Sequence, residues 1–190
     1  MNKQNAKKLL LEIKSVLDDL NIEFFLTHGT ALGAFRGGDF ISYDRDIDLG
    51  IKEEIYKPNA EKIREEFLKQ GFEVFGFFAP RELIRAMKVQ KYGIHCDIVG
   101  YRRLDDEVFV ISNIREVCYV FSAKLFKNLE TINFCGTKFK IPSPVVEYMK
   151  ALYGEKWKIP IKSRWETPCV IPEYRKKKNL LPSYEETRRN

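Results

Sequence analysis

The segment GTALGAFRGGDFISYDRDIDLGI, from Gly29 to Ile51, sets acids two residues apart in an otherwise aliphatic stretch, directly behind a run of glycines. Residues two apart on a β-strand share a face, so Asp46 and Asp48 project one way while Ile47, Leu49 and Ile51 project the other. The same alternation in IHCDIVGY puts His95 and Asp97 on one face, with Cys96 and Ile98 opposite. If the two strands are neighbours, three carboxylates converge. Unit charges about 4 Å apart repel by about 4 kcal/mol at an effective dielectric of about 20, so the cluster calls for a cation. Oxygen-only donors select a hard ion, Mg2+ or Mn2+, with water and phosphate oxygens completing its shell. Asp44 either joins this face or caps the turn at SYD.

The glycines before the acids read as a phosphate-approaching loop, because glycine lets backbone N–H groups come close to an anion. Gly29, Thr30, Gly33 and Arg36 are its candidate donor-binding residues, with Leu32 and Phe35 buried on a short helical turn beneath. GTALG lacks the Lys-Ser/Thr pair of a P-loop. Arg36 offers a planar fork to a phosphate, or else pairs with an acid of the cluster. His28 and His95 are the two histidines of the chain and read as support behind the acids or as packing.

The rest of the chain must hold these groups in place. Leu9, Ile13, Val16, Leu17 and Leu20 recur at helical spacing and predict an amphipathic helix over about residues 4–20. IEFFLTH reads as a strand beside DIDLGI, and residues 58–70 as a surface helix stopped by Gly71. FEVFGFF, LIRAMKVQ, IHCDIVGY, EVFVI and VCYVF read as short strands, separated by Pro80, Tyr92-Gly93 and Asp105-Asp106. TINF and KFKI make a hairpin across Cys135-Gly136, and SPVVEYMKALYG a helix capped by Ser143 with Pro144 in its first turn. The result is an α+β (α/β) fold, a mixed sheet flanked by helices. Residues 1–160 form one domain, and 161–190 a Pro-rich strap and basic tail that is not a separate domain.

Composition sets the bounds. A chain of 190 residues with 44% hydrophobic and 13% aromatic residues is globular, and at this size folding buries about 70% of the unfolded surface. Lys+Arg 33 less Asp+Glu 27 leaves +6, a charge suited to anionic ligands. Arg175, Lys176, Lys177, Lys178, Arg188 and Arg189 belong to the tail and read as solvated, so a nucleic-acid partner is not expected. Cys96, Cys118, Cys135 and Cys169 lack metal-ligand spacing and read as reduced core residues. With no leader-like apolar region and no membrane-spanning run, a cytoplasmic chain is expected.

A strand, Gly-Thr, a D-x-D strand and a third Asp on a later strand together resemble the nucleotidyltransferase superfamily. GTALGAFR followed by ISYDRDIDLGI is more closely similar to the LicD/fukutin family, whose signature is G-T-x-L-G-x-x-R and then P-W-D-x-D-x-D. IPSPVVEYMKALYGEKW, with Pro142, Tyr148, Tyr153, Gly154 and Trp157, resembles that family's closing segment. Ser42-Tyr43 stands where the family has Pro-Trp. The resemblance implies a metal-dependent transferase moving a phospho-alcohol, phosphocholine or a phospho-alditol, from a CDP-linked donor to a glycan hydroxyl, with release of CMP. It assigns Asp46 and Asp48 as metal ligands, Asp44 as the preceding family acid, and Asp97 as third ligand or base. A nucleotidyltransferase moving NMP from an NTP to a hydroxyl of a small molecule, protein or RNA would use the same residues, and a non-catalytic binding module would need none of them.

Overall fold

The computed structural model describes residues 1–75, 86–112, 117–160 and 175–177. Two helices and a mixed sheet form its main layers. Helix α1 (Lys3–Asp19) is capped by the Asn2 side chain and buries Leu9, Leu10, Ile13, Val16 and Leu17 along one stripe. A two-residue strand β1 (Phe25–Leu26) leads into helix α2 (His28–Gly37), then strand β2 (Asp46–Lys52) and helix α3 (Glu53–Lys69). There follow β3 (Glu73–Phe75), β4 (Ala86–Lys91), β5 (Ile94–Leu104), β6 (Glu107–Ser112) and β7 (Val117–Ser122). A 3-10 turn (Ala123–Phe126), a hairpin of β8 (Leu129–Phe134) and β9 (Thr137–Pro142), helix α4 (Val145–Tyr153) and β10 (Arg175–Lys177) complete it.

The sheet runs β1-β2-β5-β6-β7-β10, with β4 also on β5 and β3 on β4. Strands β2 and β5 pair in parallel, with Asp46 opposite His95 and Asp48 opposite Asp97. Parallel strands need a crossover, and α3 supplies it. Strand β4 adds to β5 antiparallel, setting Lys88 opposite Asp97 and Gln90 opposite His95.

One face of these strands is apolar throughout. Ile47, Leu49, Ile51, Met87, Val89, Cys96 and Ile98 are fully buried in the cluster that also takes α1 and α3, each large aliphatic contributing about 1.5–3 kcal/mol. The acid face meets the first turn of α2 at Asp48 and aromatic rings at its far end. There Gly50 leaves room for the rings of Phe25 and Tyr101, to which a Cβ would come within 2.3 and 2.7 Å. Phe126, Phe121 and Tyr148 pack on behind these two rings.

Three local readings are corrected. The surface helix starts at Glu53, not at residue 58: Glu53 and Glu54 favour the positive N-terminal end, and Tyr56 joins Ala60, Ile63 and Phe67 in its buried stripe. Pro58 forgoes one backbone bond without ending it. Helix α4 has Pro144 rather than Ser143 as its cap, because the Ser143 hydroxyl bonds Glu130 instead. Only Phe25 and Leu26 of IEFFLTH are strand, pairing antiparallel with Gly50 and Leu49. The β8-β9 hairpin turns at Cys135 and Gly136, at φ 54° and 86°, as its sequence indicates. Phe77, Phe78, Pro80, residues 83–85, Trp165, Cys169 and all of 161–190 but 175–177 lie outside the described residues.

Candidate active site

The expected glycine loop is a ten-residue helix. Two of its glycines serve close packing: a Cβ on Gly33 would lie 2.6 Å from the Asp39 carbonyl, and one on Gly29 would lie 2.2 Å from Asp44 Oδ2. Helix propensity disfavours glycine by about 1 kcal/mol, but here the missing side chains let α2 lie against the 39–44 segment. Thr30 is buried, and its Oγ1 accepts the Asp48 backbone N–H at 2.9 Å, so it ties α2 to β2. Arg36 is half-buried in the last turn of the same helix, seven residues and so about 10 Å along the axis from Gly29.

The N-terminal turn of α2 therefore points at carboxylates. Gly29 N–H donates to Asp48 Oδ2 at 3.2 Å, and the Asp44 carboxyl lies against Gly29 itself. A helix N-terminus carries partial positive charge and favours anions there. Asp44 and Asp46 are close enough to share a hydrogen bond. From the next strand, His95 Nε2 lies 3.6 Å from Asp46 Oδ2, and Lys88 Nζ 3.3 Å from Asp97 Oδ1. Four acids thus meet the Lys88 ammonium, one imidazole, one helix end and the Met1 α-ammonium, which donates to the Asp44 carbonyl at 3.0 Å.

Electrostatics reflects that deficit. Burial, and then the charges of Asp46, Asp44 and Asp97, hold the Asp48 carboxyl well above the usual carboxylate range, against the Gly29 N–H. Burial and the Asp46 charge push Asp44 up to about 6. Burial also raises Asp97, although Lys88 opposes it. The donor set is oxygen-only, half-buried and short of positive charge, which fits a hard divalent ion. Among the described residues no three His, Cys, Asp or Glu side chains are grouped to hold a metal ion as they stand.

Behind the acids, Thr27 Oγ1 bonds the buried hydroxyls of both Tyr101 and Tyr148, and also lies 3.0 Å from His28 Nδ1. His28 begins α2 at φ 44° and packs edge-on to Tyr119. It lies beside the site, as its neighbours in sequence suggest. Two aromatic rings of the chain, Trp157 and Tyr92, are taken up in packing. Trp157 is 7% exposed and stacks on Phe35, while the Tyr92 ring is covered by the Lys8 ammonium at 4.1 Å.

Residues 21–144 match the family model of the LicD/FKTN/FKRP nucleotidyltransferase domain. The chain belongs to the LicD family. Among curated LicD-type relatives, the mouse (Mus musculus) ribitol-5-phosphate transferase FKTN is 32% identical over 177 residues, 90% of this chain and 36% of that protein. The human (Homo sapiens) protein of the same name is 29% identical over 171 residues, 86% of this chain and 35% of its own length. The chain thus spans about a third of these relatives. A solution structure of the antibiotic-resistance factor ANT(2'')-Ia superimposes with a TM-score of 0.51 at 19% identity, covering 74% of this chain and 66% of that one. A crystal structure of ANT(2'')-Ia with adenylyl-2''-tobramycin gives 0.50 at 18% identity, over 72% and 68% of the two chains. At such identities the likeness concerns the fold.

Of the sequence-derived acids of this LicD domain, Asp46, Asp48 and Asp97 share one face of the sheet, and Asp44 lies against Gly29 and beside Asp46 from the preceding turn. Lys88 and the Thr27-Tyr101-Tyr148 hydroxyls were not foreseen. AMKVQ does alternate, which places Lys88 and Gln90 on one face, but only the antiparallel register carries that face to Asp97.

Proposed function

We propose that this domain transfers a phospho-alditol, ribitol phosphate in the first instance, from a CDP-linked donor to a sugar hydroxyl. The acceptor oxygen forms a bond to the alditol-bearing phosphorus, the phosphoanhydride bond breaks, and CMP leaves. The observation that carries this reading is the in-register Asp48-Asp97 pair, flanked by Asp46 and Asp44 at the N-terminus of α2. The curated relatives' name supports the alditol over choline.

Asp46 and Asp48, with Asp44 or Asp97, are the residues to hold Mg2+ or Mn2+. In-register neighbours stand about 4.8 Å apart, so side-chain rotation suffices to bring these oxygens together. Such an ion, when bound, neutralises diphosphate charge and favours an in-line displacement. Gly29 N–H and the α2 terminus fix the Asp48 carboxylate, and Thr30 fixes its backbone. Asp97, with a carboxyl raised by burial, is suited to take the acceptor's hydroxyl proton at neutral pH. Arg36, in the last turn of α2, is the candidate to meet the donor's phosphates.

The test is incubation of the chain and Mg2+ with CDP-ribitol, CDP-choline or each NTP, together with glycan acceptors. CMP without pyrophosphate, from CDP-ribitol above all, is the expected result. Pyrophosphate from an NTP would replace this reading with nucleotidyl transfer.

A further inference from the structure

The acid row does not end at Asp97. Across four strands the registers align Asp48 on β2, Asp97 on β5, Lys88 on β4 and Phe75 on β3. Paired residues project from the same face, so all four side chains belong to the acid side of the sheet. The intervening residues confirm the parity: Val74, Met87, Val89, Cys96 and Ile98 pack into or against the core on the other side. Phe75 is 43% exposed and, among the described phenylalanines, it alone is exposed. The ring is thus turned outward, between a polar row of Glu73, Gln90 and His95 on one side and the small apolar pair Ala86 and Val99 on the other.

We propose that the donor's nucleoside half lies along this row, with Lys88 against a phosphate oxygen and Phe75 stacked on the base. This rests on the reading of the acid face as a site for a nucleotide-linked donor. The spacing is suitable: Phe75 is two strands beyond Asp97, roughly 10 Å, the stretch from a nucleotide's phosphate across its ribose to the base. The chemistry also changes in the required order along the row, from acids for metal-bound phosphate, through one ammonium at 3.3 Å from Asp97, to a bare π-face. Lys88 then has two partners available in turn, Asp97 before the donor arrives and phosphate afterwards. Stacking on a single ring accepts any base, so Phe75 contributes affinity for a nucleotide and not selection among bases.

Equilibrium binding of CDP and of inorganic pyrophosphate to the full chain, each with Mg2+, separates the parts. Phe75→Ala should weaken CDP about tenfold, a loss within the range of base stacking, and leave pyrophosphate unchanged. Phe75→Trp should keep CDP affinity and report it by a change in indole fluorescence. Lys88→Met should weaken both ligands, with recovery in Lys88→Arg. Unchanged CDP binding in Phe75→Ala, or an equal loss of CDP and pyrophosphate, overturns the inference while the donor reading stands. Wild-type chain that binds neither ligand in Mg2+ overturns the donor reading, and this inference with it.

Discussion

The two faces of β2 and β5 come from the same residues taken alternately, yet they follow opposite rules. On one, Ile47, Leu49, Cys96 and Ile98 are fully buried and mutually supportive. On the other, Asp48 and Asp97 stand beside Asp46, and burial raises both of their carboxyls. The first face stabilises the sheet; the second spends some of that stability to keep anions poised. A site of this kind must be mounted on strands whose opposite face is strong enough to hold them, and here the mounting is immediate, one residue away.

Substitutions on each face should separate these roles. Asp48→Asn is expected to lower turnover of the active donor about 1000-fold or more, or about 4 kcal/mol in barrier. Because the folded protein raises this carboxyl, its ionised form costs stability at neutral pH, so the same variant should melt higher than wild type without divalent ions. A variant that melts lower would break the contrast. Leu49→Ala, one position along and facing the other way, should cost about 3 kcal/mol in denaturant unfolding, with kcat retained at temperatures where it remains folded. Mg2+ at about a hundred times its dissociation constant should stabilise wild type by about 2.7 kcal/mol, raising its melting temperature by roughly 5–10 °C, and should do little for Asp48→Asn.

The smallest effect lies at the end of β4, on the other face of the sheet from the acids. Glu12 joins Lys91 at 2.8 Å and Tyr92 at 2.6 Å. Burial raises its carboxyl, but those hydrogen bonds and the lysine charge outweigh burial and hold it below the usual range. A carboxyl lowered on folding contributes above its unfolded value, about 4.3, and the contribution fades as pH falls through the lowered folded value. Glu12→Gln should therefore cost about 0.5 kcal/mol or less at pH 7, as partly exposed pairs do, and nothing once the pH is below that folded value. Urea titrations at the two pH values measure it.

What the sequence revealed follows the same division. Alternation with period two is local, so the faces of DIDLGI and IHCDIVGY could be read directly. That the two strands are parallel neighbours is a long-range fact, and periodicity alone could only pose it as a condition. Gly29 and Gly33 suggested a loop open to phosphate, whereas they let α2 approach Asp44, Asp39 and Ile41. Thr27, Tyr101 and Tyr148 lie 74 and 121 residues apart in the chain, and no local pattern announces their meeting. Lys88 was visible as a member of a strand, but its partner waits on register.

The parity of β2 against β5 also protects the site during folding. A one-residue slip would exchange the faces, sending Asp46 and Asp48 into hydrocarbon and Ile47 and Leu49 into water. Misaligned chains are thus penalised twice over, and any copy that reaches a closed interior has already aimed its anions outward. Assembly and proofreading are one event, enforced by solvent.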